Sequence, residues 1–549
     1  MPMTFPLAPF GPRTGLRGMV NAADQMASVA GIGMLEAGGT AADAIVSAAM
    51  VMAVTSPHLC GMGGDLLAMV SEPGAPPTAL LSIGRAGSGV DPDALRKEGR
   101  TVMALRGDIR TVPVPGAVDG WVALHERYGR LPLTTVVQPA LELAEEGFAA
   151  SIMLSLASHL VHSVAGAGEL CPRGPLQLHE RVRLPGIART LGSIGTEGRD
   201  GFYGGEFGRE LLALGQGMYS PGDLSRPAAQ WCEPLRLLVW DHVLWTVPPP
   251  SQGYLTLASA WMAEQVGLGR DPADPLWAHV VVEASRAAGH DRPEVLFDGA
   301  DGPALLTTER LGRAAQRIAP DRATRADVTD PSTDPSIAAL ERIGDGDTTH
   351  LCAIDNDGLG ISLTQSNALD FGSHIVAGTT GIFLHNRGVG FSLVPDHPAE
   401  LGPGRRPPHT LSPMLATTTG GKLSHLVGAM GGDAQPQILL QLLARMLHGG
   451  QDPATAVAAA RLSLDAPAAG PFRLWWGSDL TVAVEADAPS GWIDGLRGRG
   501  HAVQPIRAFD PTAVGCAQII AVAPAEDGSA HHYIGASDPR SPEGGTASR

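Results

Sequence analysis

The amino-acid sequence predicts a mixed α/β protein, and three stretches carry that reading. Over residues 22–36 the apolar positions recur at helical spacing. Over residues 40–55 a run rich in Ala and Val is apolar on nearly every face, which marks a buried helix. Over residues 346–373 the run GDTTHLCAIDNDGLGISLTQSNALDFGS alternates apolar and polar positions, turns at Asp357 and Gly358, and returns as a second run ending in Phe371, Gly372 and Ser373. This is the pattern of a β-hairpin whose first residues lie at its open end.

Local signals bound each element. Gly38 and Gly39 stop the first helix. Thr40 caps the second, and Asp43 three residues on completes a capping box. Residues 319–336 concentrate Pro, Asp, Ser and Thr directly ahead of the hairpin, a composition that suits a mobile tether. Residues 427–450 read as a strand, a glycine turn at Gly431 and Gly432, and a helix.

Composition excludes several functions. A length of 549 residues allows a sizeable core, and by size alone two to four domains. The formal charge of −17 argues against nucleic acid or an acidic membrane surface as partner, since both select for Lys and Arg. Prolines break the first twenty residues, which hold no continuous apolar core of the secretory kind. No apolar run approaches the roughly 18 residues needed to cross a bilayer. The five cysteines are odd in number and scattered, so reduced thiols in a cytoplasmic protein are expected. GMGGD at 61–65 could be mistaken for a phosphate loop, but no GK[ST] or GxGxxG follows. No HExxH, clustered Cys or carboxylate motif calls for a metal, and no cofactor is expected.

Twelve short motifs occur in one order: EAGGTAADAIVSA, TSPHLCGMGGDLLAMV, PVPGAVDGW, RYGRLPL, QPALELAEEGF, FYGGE, PPPSQG, HVVVEASRAAGHDR, the TTH that opens the hairpin, GIFLHNRGVGF, RRPPHTLSP and GASDPR. Together they resemble the γ-glutamyltranspeptidase family of N-terminal-nucleophile hydrolases from about Gly18 to Arg540. The NRGVGF and RPPHT variants resemble its cephalosporin-acylase-like and oxamate-amidohydrolase-like subgroup.

The resemblance implies a four-layer αββα sandwich and a chain cut between Asp347 and Thr348. It implies fragments 1–347 and 348–549 that stay associated as one αββα unit. A Thr hydroxyl is a weak nucleophile that needs an adjacent base. Once Thr348 is a chain terminus, its own α-amino group, with an ordinary pKa of about 7.7 to 8.0, supplies that base. The resemblance also implies that Ser366 assists the nucleophile and that Gly431 and Gly432 form the oxyanion hole.

Substrate recognition is expected to depart from the family pattern. Ile83 stands where the family carries a carboxylate-binding Arg, His409 and Thr410 where it carries a Ser pair, Gly390 where it carries an acid for the α-ammonium, and Ala368 where it carries Asn. A pocket without these charges has no partners for a buried zwitterion. Arg85, Arg387 and His409 remain as contacts for a simple carboxylate. The expected activity is cleavage of a small-molecule amide through a Thr acyl-enzyme. A true γ-glutamyltransferase or glutathione hydrolase with a rebuilt pocket, and a non-catalytic binding relative, are the two rival readings.

Overall fold

The computed structural model describes residues 11–324, 347–466, 474–476, 480–524 and 531–549. Residues 325–336 of the expected tether lie outside the described residues, as do residues 337–346 and the side chain of Asp347.

Two seven-stranded sheets form the centre. One runs Gly545–Ser548, Met19–Ala22, Asp347–Ile354, Gly360–Ala368, Asp65–Ser71, Thr78–Ser82 and Ala229–Cys232. The other runs Arg13–Gly15, His531–Ser537, Ala517–Pro524, Leu423–Ala429, Met414–Thr418, His242–Thr246 and Leu235–Val239. All neighbouring pairs in both sheets are antiparallel. Strands from both sides of the Asp347-Thr348 bond sit side by side in each sheet.

The sheets stack through their apolar faces. Met19, Leu67, Met69, Leu81, Cys352 and Ile354 of one sheet meet Trp245, Leu415, Leu426, Ile520 and Tyr533 of the other. Period-2 alternation puts the remaining strand residues on the outer faces, where helices cover them. Helices Gln25–Glu36, Ala41–Thr55 and Ala117–Tyr128 pack on the sheet that holds Thr348, and Leu133–Glu146 packs against Ala41–Thr55. Tyr254–Gln265 and Gln435–Leu443 pack on the other, and Pro275–Gly289 packs against these two helices. The result is an αββα sandwich.

The Thr40 capping box forms as expected, with Asp43 accepting from the Thr40 N–H at 2.8 Å, and every residue of Ala41–Thr55 is buried. Two boundaries differ from the sequence expectation. The first helix begins at Gln25, because Met19–Ala22 is a strand in register with residues 351–354 and Asp24 caps the helix by accepting from the Met26 N–H at 2.8 Å. The hairpin's return strand ends at Ala368, short of Ser373, because the backbone turns to φ +79° there and to +53° at Phe371. The turn at Asp357 and Gly358 is as expected. Asp355 holds it by accepting from the N–H groups of Asp357 (3.0 Å) and Leu359 (3.1 Å), and its other oxygen accepts from Ala41 at the start of the buried helix.

Positive φ is costly for a residue with a Cβ, by about 1–2 kcal/mol, whereas Gly in place of Ala ordinarily costs about 0.5–1 kcal/mol. Ala368→Gly should therefore leave the thermal midpoint unchanged or raised, while Ala48→Gly in the buried helix lowers it. Calorimetry on the two variants checks this.

Candidate active site

Thr348 is the second residue of its strand and lies at a break in the ladder. Asp347 pairs with Ala368 and Thr349 with Gln365, so the partner strand carries one extra residue opposite Thr348. Such bulges re-aim side chains beside functional sites. Thr348 is 1% exposed, and its Oγ1 lies 3.0 Å from Ser366 Oγ.

Three groups converge on that serine oxygen. Besides Thr348, the Ala368 N–H donates to it at 2.8 Å and Arg387 Nη2 at 3.3 Å. Arg387, 2% exposed, also donates from Nη1 to Thr410 Oγ1 at 2.9 Å. Burial lowers its guanidinium to about 10, against the raising influence of the Asp65 and Asp433 carboxylates, so it stays a cation at neutral pH. A fixed positive charge therefore lies two hydrogen bonds from the candidate nucleophile.

Asp65 lies in register with Ser366 on the neighbouring strand and is fully buried. One oxygen accepts from the N–H groups of Gly84 (2.9 Å) and Gly116 (3.1 Å). The other meets His409 Nε2 at 3.2 Å and His385 Nδ1 at 3.5 Å. Burial alone raises the Asp65 carboxyl, but His385, His409 and the Gly84 amide outweigh it and hold the group below its ordinary value. Burial, with the charge of Arg387, pushes His409 down to about 3, so its ring is neutral. Its Nδ1 accepts from the Leu411 N–H at 3.3 Å, which leaves Nε2–H to donate to Asp65.

The glycine turn closes the circuit. Gly431 has φ +136° and Gly432 +51°, between the strand Leu423–Ala429 and the helix Gln435–Leu443. Such conformations suit glycine, and a turn ahead of a helix aims backbone N–H groups outward. Among the described residues neither N–H meets an acceptor. Gln252 Nε2 donates both to the Gly432 carbonyl at 2.9 Å and to the Thr410 carbonyl at 3.1 Å.

The structure thus joins Thr348, Ser366, Arg387 and Thr410 directly, and Gly432 through Gln252. It does not bring His409 or Arg85 to this group. His409 turns its ring to Asp65. Arg85 turns to Asp298 at 3.6 Å and to the Gly404 carbonyl at 3.1 Å. Gly390 closes the turn that begins at Arg387, and a Cβ there would lie 2.7 Å from the Pro408 carbonyl, so the position has no room for an acid. Ile83 is fully buried in the core between the sheets.

Sequence reasoning missed Asp65, His385, Gln252 and the reason for the adjacent glycines. A Cβ on Gly64 would lie 2.3 Å from the Ser366 carbonyl, and one on Gly63 2.1 Å from the Phe383 carbonyl. The signal was GMGGD itself: contiguous glycines ending in a buried acid permit close backbone approach to a strand as readily as to a phosphate. Among the described residues no group of three His, Cys, Asp or Glu side chains could hold a metal ion, and no helix is long and apolar enough to cross a membrane.

Comparison with known proteins identifies the family. The family model for gamma-glutamyltranspeptidase covers residues 27–548. The chain is 31% identical to the glutathione hydrolase-like YwrD proenzyme of Bacillus subtilis, over 90% of this chain and 93% of that one. It is 32% identical to the oxamate amidohydrolase proenzyme of Klebsiella pneumoniae, over 90% of this chain and 92% of that one. The crystal structure of cephalosporin acylase from Bacillus halodurans superposes with a TM-score of 0.87 at 27% identity, covering 100% of this chain and 99% of that one. The chain belongs to the gamma-glutamyltranspeptidase family and is an enzyme of the N-terminal-nucleophile hydrolase class.

Proposed function

We propose that the chain cuts itself between Asp347 and Thr348 and then hydrolyses a small amide whose acyl group carries a free carboxylate and no α-ammonium. The observation that carries this reading is the convergence of Thr348 Oγ1 and the Arg387 guanidinium on the one oxygen of Ser366, at 3.0 and 3.3 Å. The word proenzyme in the relatives' names supports processing into fragments, here 1–347 and 348–549.

The chemistry follows from the parts. In the precursor the Thr348 hydroxyl attacks the Asp347 carbonyl, the peptide C–N bond breaks to leave an ester and a free Thr348 α-amine, and water then hydrolyses the ester to release the Thr348 hydroxyl and the Asp347 carboxylate. In the mature site the Thr348 oxygen attacks the substrate carbonyl while the α-amino group takes its proton and passes it to the leaving amine. The N–H groups of Gly431 and Gly432 receive the negative charge that develops on the carbonyl oxygen. Water, or an acceptor amine, then takes the acyl group from Thr348. Arg387 and Thr410 hold the acyl carboxylate, and with no room for an acid at position 390 an α-ammonium lacks a counter-charge at that position. We also assign the enzyme to the cytoplasm, a reading supported by five cysteines that are all free.

A panel of p-nitroanilides tests the specificity. Glutaryl and oxalyl amides should exceed the γ-glutamyl amide in kcat/KM by about tenfold or more, because burying an uncompensated ammonium is costly. A preference for the γ-glutamyl amide or glutathione would make the enzyme an ordinary γ-glutamyl hydrolase or transferase with a rebuilt pocket.

A further inference from the structure

The motif PPPSQG at 248–253 has no part in the chemistry above, yet it supplies the link between two sides of the site. The backbone of residues 250–252 lies against His409: the His409 N–H donates to the Pro250 carbonyl at 2.8 Å and the Gln252 N–H to the His409 carbonyl at 2.9 Å. Ser251 Oγ adds a bond to the Leu411 carbonyl at 2.6 Å. These bonds fix the start of the Gln252 side chain, which is fully buried.

From that fixed base one amide nitrogen reaches two carbonyls, Thr410 at 3.1 Å and Gly432 at 2.9 Å. The two hydrogens of a single NH2 group match the two acceptors. One acceptor belongs to the residue whose hydroxyl receives Arg387; the other belongs to the oxyanion turn, whose own bonds run from the Ala434 N–H to the Gly431 carbonyl at 2.8 Å and from the Gln435 N–H to the Gly432 carbonyl. From outside the turn, Arg292 pairs with Asp433 at 3.3 Å, the Leu474 N–H donates to Asp433 at 3.2 Å, and the Met430 N–H donates to the Cys516 carbonyl at 2.9 Å.

We infer that Gln252 is a positioning residue that clamps the oxyanion turn to the acyl-binding segment, so that the Gly432 N–H is aimed before the substrate arrives. This rests on the oxyanion reading of Gly431 and Gly432. Misplacement of a catalytic group by about 1 Å costs about 100-fold in rate, whereas substrate binding through Arg387 does not require the turn. Gln252→Met keeps the volume and removes both donors. Gln252→Glu keeps the shape and points oxygen lone pairs at both carbonyls.

The test is a double-mutant cycle on the panel amide that the wild type hydrolyses fastest. Gln252→Met should lower kcat by about 10- to 100-fold with KM within about threefold, and Gln252→Glu at least as much. Gly432→Ala should lower kcat by about 100-fold, and adding Gln252→Met to it should cost less than about threefold more, because the clamp then has no aimed donor to hold. Fully additive losses, or a Gln252→Met enzyme with wild-type kcat beside an impaired Gly432→Ala enzyme, would overturn the inference. Wild-type kcat in Gly432→Ala would overturn the oxyanion reading instead. Should Gln252→Met fail to fold, the isosteric Gln252→Glu completes the same cycle.

Discussion

Thr348→Ala is expected to lower amide hydrolysis by about 10⁴-fold or more, the scale seen when a nucleophile is removed from an acyl-transfer site. The structure makes the loss specific, because Ser366, whose oxygen meets Thr348 Oγ1 at 3.0 Å, has no α-amino group of its own to take a proton. The substitution also removes the hydroxyl that cuts the precursor, so an inactive single chain has two explanations. Co-expressing residues 1–347 with a 348–549 fragment carrying Thr348→Ala separates them, since cleavage is then no longer required. That assembled pair should stay inactive, while the pair with Thr348 intact should hydrolyse the panel amides. Thr348→Ser keeps a hydroxyl on the same carbon and should still cut and turn over.

Arg387→Met is expected to lower kcat/KM for a carboxylate-bearing acyl amide by about 10²–10³-fold, while a neutral acyl amide changes by less than about tenfold. The reasoning is electrostatic. Losing one partner of a buried, hydrogen-bonded charge pair costs about 2–5 kcal/mol, and Arg387 is 2% exposed. The comparison of two acyl groups removes any effect of the substitution on folding or on Ser366, because those effects fall on both substrates alike. Arg387→Lys should recover only part of the loss. A compact ammonium cannot reproduce the planar fork that serves Ser366 Oγ and Thr410 Oγ1 at once.

The parts of this site that could be read in the sequence are those fixed by local pattern. The hairpin announced itself by alternation and by Asp357 and Gly358, the buried helix by its capping box, and the turn at Gly431 and Gly432 by adjacent glycines between a strand and a helix. Its contacts were legible only where a residue's type implies its partner. Arg387 was marked by charge, and its meeting with Ser366 and Thr410, 21 and 23 residues away, depends on how the hairpin and the residues 405–413 segment cross. His409 and Arg85 were marked by charge too, yet each finds an acid of the scaffold, Asp65 and Asp298, in place of a substrate. Nothing in the chain near them signals that preference, since Asp65 is 344 residues from His409. Gln252 was invisible for a related reason: a neutral amide carries no pattern until both of its carbonyl acceptors are placed.

Intact-mass measurement of the purified wild-type protein, with sequencing of the new amino terminus, tests the central claim most directly. The account predicts two polypeptides that copurify, the smaller beginning at Thr348, and a Thr348→Ala protein that remains one chain of 549 residues. A wild-type chain that stays uncut on prolonged incubation, or one cut at another bond, would contradict it.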